Sequence, residues 1–194
     1  MRTAVLPLAF VAALLLPACS WLGRSPEIAH HTPVASPAEK AYAAGATALH
    51  EGNFERALDQ FALSWKESPE DPAVSRDFVA ALEALKKSGD EASRQGIPEE
   101  AGKKWTAALR YVGHPATKGK AISFSRTELK GSVDRLSSAL MEKGLKEYQI
   151  GNLDAAIEIW RSIIAYDPGN LEAAKSLRTA TTQLENLKKL PPSK

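Results

Sequence analysis

Three stretches of the chain carry apolar residues at the spacing of a helix buried along one face. Phe54, Ala57, Leu58, Phe61, Ala62 and Trp65 form the first stripe, and Leu153, Ala156, Ile157, Trp160, Ile163 and Ile164 form the last. Pro98, Ala101, Trp105, Ala108, Leu109 and Val112 make a weaker version between them. The same period runs through Val74, Phe78, Leu82 and Leu85, and through Leu129, Val133, Leu136 and Leu140. The helices preceding the second and third stripes therefore extend toward their N-termini. A further amphipathic segment, Leu171 to Leu190, sets Ala174, Leu177, Ala180, Thr181, Leu184 and Leu187 on one face before Pro191 and Pro192 stop it. His114 to Ser123 reads as a loop containing Gly and Lys. The expectation is an all-α domain over residues 38–190 with a short tail at 191–194.

One pattern organises these stripes: a Gly, four residues, an Ala, three residues, and an aromatic. It occurs at Gly52, Ala57 and Phe61, at Gly96, Ala101 and Trp105, and at Gly151, Ala156 and Trp160. Gly ends one helix in a tight turn, the small Ala lets two helices approach, and the aromatic fills the space further along the pair. A second Gly lies seven residues before each turn, at Gly45, Gly89 and Gly144, and Pro69 and Pro168 close the first and third copies. On these residues the chain resembles the tetratricopeptide (TPR) family. The resemblance implies a TPR-like stack of three helical hairpins in frames 38–71, 82–115 and 137–170, two with lengthened first helices. The segment after Pro168 then serves as the capping helix that a stacked repeat needs at its open end. The chain departs from the family in having Ala41, Leu85 and Leu140 for the early Trp, and Ala48, Ala92 and Glu147 for the Tyr. Gly113 also replaces the middle closing Pro.

In that family, set positions of each first helix line a concave groove. Carried over, they are Glu39, Tyr42, Ala46, Leu49 and His50; Glu83, Lys86, Asp90, Ser93 and Arg94; and Ser138, Met141, Leu145, Tyr148 and Gln149. The resemblance implies partner binding through Tyr42, Leu49, His50, Lys86, Arg94, Met141, Leu145 and Tyr148, with the apolar members holding side chains of a partner helix or extended peptide. Burial of some of these against a neighbouring helix is the alternative. The paired Lys and Asn that grip a peptide carboxylate in chaperone-binding members are not reproduced.

The N-terminus has a different character. Arg2 precedes an apolar run from Val5 to Leu16, too short for a spanning helix of roughly 20 residues, so residues 1–18 read as an export signal. Leu16-Pro17-Ala18-Cys19 resembles the bacterial lipobox, which implies acylation of Cys19 as the mature N-terminus; the alternative is an ordinary signal peptide cut near Ala18. Cys19 is the single cysteine, so it has no disulfide partner within the chain. Ser20 after it, by analogy with lipoproteins of Gram-negative envelopes, implies delivery to the outer membrane, facing the periplasm. Residues 19–37 contain Pro26, Pro33 and Pro37 without apolar period and read as a lipidated Cys and flexible linker. Trp21 suits the lipid interface.

A formal net charge of +2 gives no global pull toward nucleic acid. The unevenness is local: Lys103, Lys104, Arg110, Lys118, Lys120, Arg126 and Lys130 stand against the single acid Glu128. This region is a candidate contact for an acidic partner, anionic lipid headgroups or an envelope polymer, or else a set of solvated faces. No aromatics interleave it as single-strand binding requires. No catalytic motif assembles, and Glu99 with Glu100, or Asp154 with Glu158, fit the acid preference of helix N-termini. His30 and His31 lack a third metal ligand nearby, and Trp65, Trp105 and Trp160 belong to buried stripes. The expectation is a non-enzymatic protein without cofactor or metal. It would act as an outer-membrane scaffold or assembly factor for an envelope complex such as pilus, secretion, outer-membrane or cell-wall machinery. The competing expectation is a module that binds peptidoglycan or lipopolysaccharide, or regulates an envelope enzyme, through residues 103–130. A second copy of the chain, forming a homo-oligomer, is a further candidate partner.

Overall fold

The described residues, 35–189 of this computed structural model, form seven α-helices, with no strand among them. In order they are α1 (Pro37–His50), α2 (Phe54–Glu67), α3 (Pro72–Arg94), α4 (Pro98–Tyr111), α5 (Arg126–Gln149), α6 (Leu153–Tyr166) and α7 (Leu171–Lys188). The pairs α1–α2, α3–α4 and α5–α6 are hairpins stacked in chain order, and α7 packs on α6 to close the end. This is an all-α, TPR-like stack. Its lengthened first helices are α3 and α5, of 23 and 24 residues against 14 for α1. The expected signal peptide, Cys19, Trp21, the histidine pair and the tail at 191–194 lie outside the described residues.

Local chemistry fixes where the long helices begin. Asp71 caps α3 by accepting from the Ala73 and Val74 amides at 2.8 and 3.4 Å, just before Pro72. Ser125 and Glu128 form a capping box at α5, with reciprocal bonds of 3.1 and 2.6 Å, and Ser36 with Glu39 does the same at α1.

The two glycines of each repeat do different work. Gly52, Gly96 and Gly151 have φ of +76°, +73° and +81°, the left-handed region, with open space where a Cβ would sit. Each ends its first helix with a pair of backbone bonds; at the first turn Asn53 N–H donates to the Ala48 carbonyl at 2.8 Å and Gly52 N–H to that of Leu49 at 3.1 Å. The earlier glycines serve close approach instead. A Cβ at Gly45 would lie 2.7 Å from the Phe61 ring, and one at Gly89 would lie 2.7 Å from the Trp105 indole. At Gly144 it would strike the Trp160 indole. In all three copies the aromatic lies on the bare backbone of the facing helix, while Ala57, Ala101 and Ala156 are wholly buried beside it.

Tyrosines join one hairpin to the next. The Tyr42 hydroxyl donates to Asp77 at 2.6 Å, and the Tyr111 hydroxyl donates to Asp59. Burial, reinforced by the Asp59 bond, pushes the Tyr111 hydroxyl up to about 12. Tyr166 of α6 lies on Gly102 of α4, where a Cβ would collide with its ring, and its hydroxyl is 3.0 Å from the buried Ser137.

The segment between α4 and α5 is more organised than the loop expected there. Pro115–Thr117 forms a 3-10 turn around the buried Ala116, whose carbonyl accepts from Ser75 at 2.5 Å. His114 stacks on Phe78 with centroids 4.6 Å apart. Ser123 donates its N–H and hydroxyl to Glu83, each at 2.5 Å, and buried Phe124 sits 6.0 Å from the Lys86 ammonium. These anchors lie along α3, so the segment is strapped over that helix.

Two outcomes follow. Gly89→Ala is expected to lower stability by about 1–3 kcal/mol through overpacking against Trp105, although Ala favours a helix over Gly by about 1 kcal/mol. Denaturant unfolding measures this, and a variant as stable as the parent would remove the close-approach explanation. Burial holds the His114 imidazole below its ordinary value of 6.5, and its Nδ1 accepts from the Ala116 N–H at 3.2 Å. The fold therefore prefers neutral His114. That stability is full above about 6.5 and is lost as pH falls through the lower folded value. Urea midpoints at neutral and mildly acid pH should differ less in His114→Gln than in the parent.

Candidate functional site

Between α5 and α7, with α6 as its floor, lies a cleft of about 470 Å³. Met141, Glu142, Leu145 and Tyr148 of α5 form one wall, Glu172, Lys175, Ser176 and Thr179 of α7 form the other, and Trp160 closes the bottom. Leu145 is 48% exposed, a large apolar side chain presented to solvent, while Met141 and Tyr148 are half-buried. The Tyr148 and Trp160 rings pack with centroids 5.9 Å apart. A hydrogen bond from Lys146, 2.7 Å away, holds the Glu142 carboxyl below its ordinary range. A more polar hollow adjoins, lined by Lys130, Asp134, Ser137, Ser138, Asp167 and Asn170, and sharing Met141 and Glu172 with the cleft.

Comparison of equivalent positions shows why the third hairpin carries this surface. Relative to the notch glycines Gly89 and Gly144, Met141 corresponds to Lys86, Leu145 to Asp90 and Tyr148 to Ser93. Asp90 accepts from the Trp105 indole N–H at 3.0 Å. Trp160 is only 2% exposed, and its indole N–H has no partner among the described residues, since Leu145 stands where the carboxylate would be. The exchange of Asp for Leu at this position leaves a buried donor unsatisfied among the described residues, a departure from the usual pairing of interior polar groups.

The remaining groove residues have other surroundings. Tyr42 is half-buried 5.8 Å from the Phe61 ring and bonded to Asp77, and Leu49 packs on the core. His50 is exposed in the last turn of α1. Lys86 pairs with Asp90 at 2.6 Å beside the α4–α5 strap, and exposed Arg94 pairs with Glu91 at 2.5 Å. The structure thus brings Met141, Leu145 and Tyr148 together and leaves Tyr42, Leu49, His50, Lys86 and Arg94 outside the cleft. Glu172, Lys175 and Thr179 were not among the expected residues. Extending the groove offsets into α7, with a fourth frame opening at Leu171, falls on these three.

Most of the basic stretch is paired. Lys103 meets Glu99, Lys104 meets Glu100 at 3.3 Å, Arg110 meets Glu55 at 2.9 Å, and Lys130 meets Asp134 at 2.7 Å. Arg126 donates to the Leu109 carbonyl at 2.9 Å. Lys118 and Lys120 are exposed on either side of Gly119, without an ion pair among the described residues. Of the carboxylates weighed for chemistry, Glu99 and Glu100 are engaged by these lysines and Glu158 by Arg161. Among the described residues no three His, Cys, Asp or Glu side chains gather as a metal site.

No family model matches the chain, and no curated protein gives a significant match.

The indole comparison is open to direct test. Asp90→Ala should lower stability by about 1–3 kcal/mol by leaving the Trp105 N–H unpaired, whereas Leu145→Asn supplies the missing acceptor to Trp160 and should not lower it. Thermal unfolding of the two variants distinguishes them; a clear loss of stability in Leu145→Asn contradicts the explanation.

Proposed function

We propose that this chain is a TPR-like lipoprotein of the bacterial outer membrane. In this reading it faces the periplasm, is held by acylated Cys19, and works as a scaffold or assembly factor whose α5–α7 cleft holds protein partners of an envelope complex. The observation that carries the binding part is exposed Leu145 beside Met141 and Tyr148 in a cleft with charged walls. An apolar centre with a polar rim is the anatomy of a protein contact. The envelope part rests on the apolar run and Leu16-Pro17-Ala18-Cys19. Among the described residues no helix is long and apolar enough to cross a membrane, so attachment in this reading falls to the acyl chains. The cleft's role is binding, not catalysis.

Lys118 and Lys120 support a second reading, contact with peptidoglycan or lipopolysaccharide, since they are the members of the basic stretch whose side chains have no hydrogen bond or ion pair among the described residues. Charge reversal at both should abolish polymer binding if that reading holds, with the fold intact.

For the first reading, crosslinking and capture from native envelopes should recover a defined protein with the parent chain and lose it with Leu145→Ser and Tyr148→Ala. Recovery of glycan or lipid alone moves the site to the basic loop. Cys19→Ser should abolish incorporation of labelled palmitate and release the protein from membranes; retention of label would sink the anchor.

A further inference from the structure

The strap between α4 and α5 is an internal precedent for what this face of the stack holds. Glu83 and Lys86 are the α3 counterparts of Ser138 and Met141. Ser123 ties its main-chain N–H and hydroxyl to the Glu83 carboxylate, and Phe124 is buried beside Lys86. A short non-helical segment thus lies on hairpin two with an aromatic side chain seated against the first helix and a polar group held by an acid. Hairpin three presents the same positions without such cover among the described residues, and with apolar Met141, Leu145 and Tyr148 for polar Lys86, Asp90 and Ser93.

Charge adds a second criterion. Four acids, Asp134, Glu142, Asp167 and Glu172, and two lysines, Lys130 and Lys175, line the two joined hollows. Lys130 is taken by Asp134 and Glu142 by Lys146. Of the charges left without an ion pair among the described residues, Asp167 and Glu172 outnumber Lys175, and exposed Glu172 lines both hollows.

Resting on the scaffold reading, we propose that the α5–α7 cleft takes an extended segment of a protein partner that seats an aromatic or leucine side chain against Met141, Leu145 and Tyr148 and sets an adjacent Lys or Arg against Glu172. The apolar contact supplies affinity, and the acid selects the sign of the neighbouring charge.

The test uses the full chain and short Gly-Ser peptides carrying Phe-Lys, Phe-Glu or Ala-Lys, followed through the Trp160 indole N–H resonance and by titration. The Phe-Lys peptide should shift that resonance, and Phe-Glu and Ala-Lys should bind about tenfold more weakly. Glu172→Lys, an exposed substitution whose fold is checked by unfolding, should reverse the charge preference toward Phe-Glu. Equal binding of Phe-Lys and Phe-Glu, an unmoved Trp160 resonance, or a preference unchanged by Glu172→Lys overturns the proposal. Envelope capture separates the two levels. A partner lost with Leu145 and Tyr148 variants but indifferent to Glu172→Lys leaves the scaffold and removes this specificity, whereas a partner indifferent to all three removes the cleft.

Discussion

An aromatic ring lying on the bare backbone of a glycine is the contact on which each hairpin depends. Phe61 on Gly45, Trp105 on Gly89 and Trp160 on Gly144 bring the two helices closer than any side chain at the glycine would permit. Burying a ring of this size contributes about 1.5–3 kcal/mol, and close packing makes the geometry unforgiving of an added methyl group. The turn glycines set the chain's reversal, but the notch sets the distance at which the second helix returns. With that distance repeated three times, the hairpins stack in register and their first helices present equivalent positions to the same side.

Equivalence of backbone is where similarity between the hairpins ends. In hairpin one, Tyr42 is tied to Asp77 of the next hairpin. In hairpin two, the chain strapped across α3 engages Glu83 and places Phe124 beside Lys86. In hairpin three, the corresponding surface lines a cleft with Leu145 exposed in it and α7 as the second wall. Trp160 marks the difference chemically: the same ring in the same notch as Trp105, with the acceptor of its N–H replaced by leucine. Buried unsatisfied donors are uncommon in folded proteins, and this one lies at the floor of the α5–α7 cleft.

The repeat was legible because its causes are local and periodic. A glycine, an alanine and an aromatic at fixed spacing encode a turn, a close approach and a ring, and the helix stripes follow from burial of one face. The α4–α5 strap was not legible, since its anchors, Ser75 to Ala116, His114 on Phe78 and Ser123 to Glu83, join residues about 40 apart in the chain with no period to announce them. The α7 wall of the cleft lies beyond the three repeats that the glycine pattern marks: the capping helix has no such glycines, yet the groove offsets continued into it fall on Glu172, Lys175 and Thr179. The basic stretch looked more uneven than it is because Glu99, Glu100 and Asp134 lie just beyond its ends, four residues from the lysines they neutralise.

The most direct test of the cleft as the working surface is site-specific photo-crosslinking of the full chain in native envelopes, with the reactive residue at Leu145, Ser93 or Lys118. The expected result is a discrete protein adduct from position 145, with none from Ser93, the equivalent of Tyr148 in hairpin two. Adducts from Ser93 in comparable yield, or from Lys118 alone, would contradict the assignment of partner binding to the α5–α7 cleft.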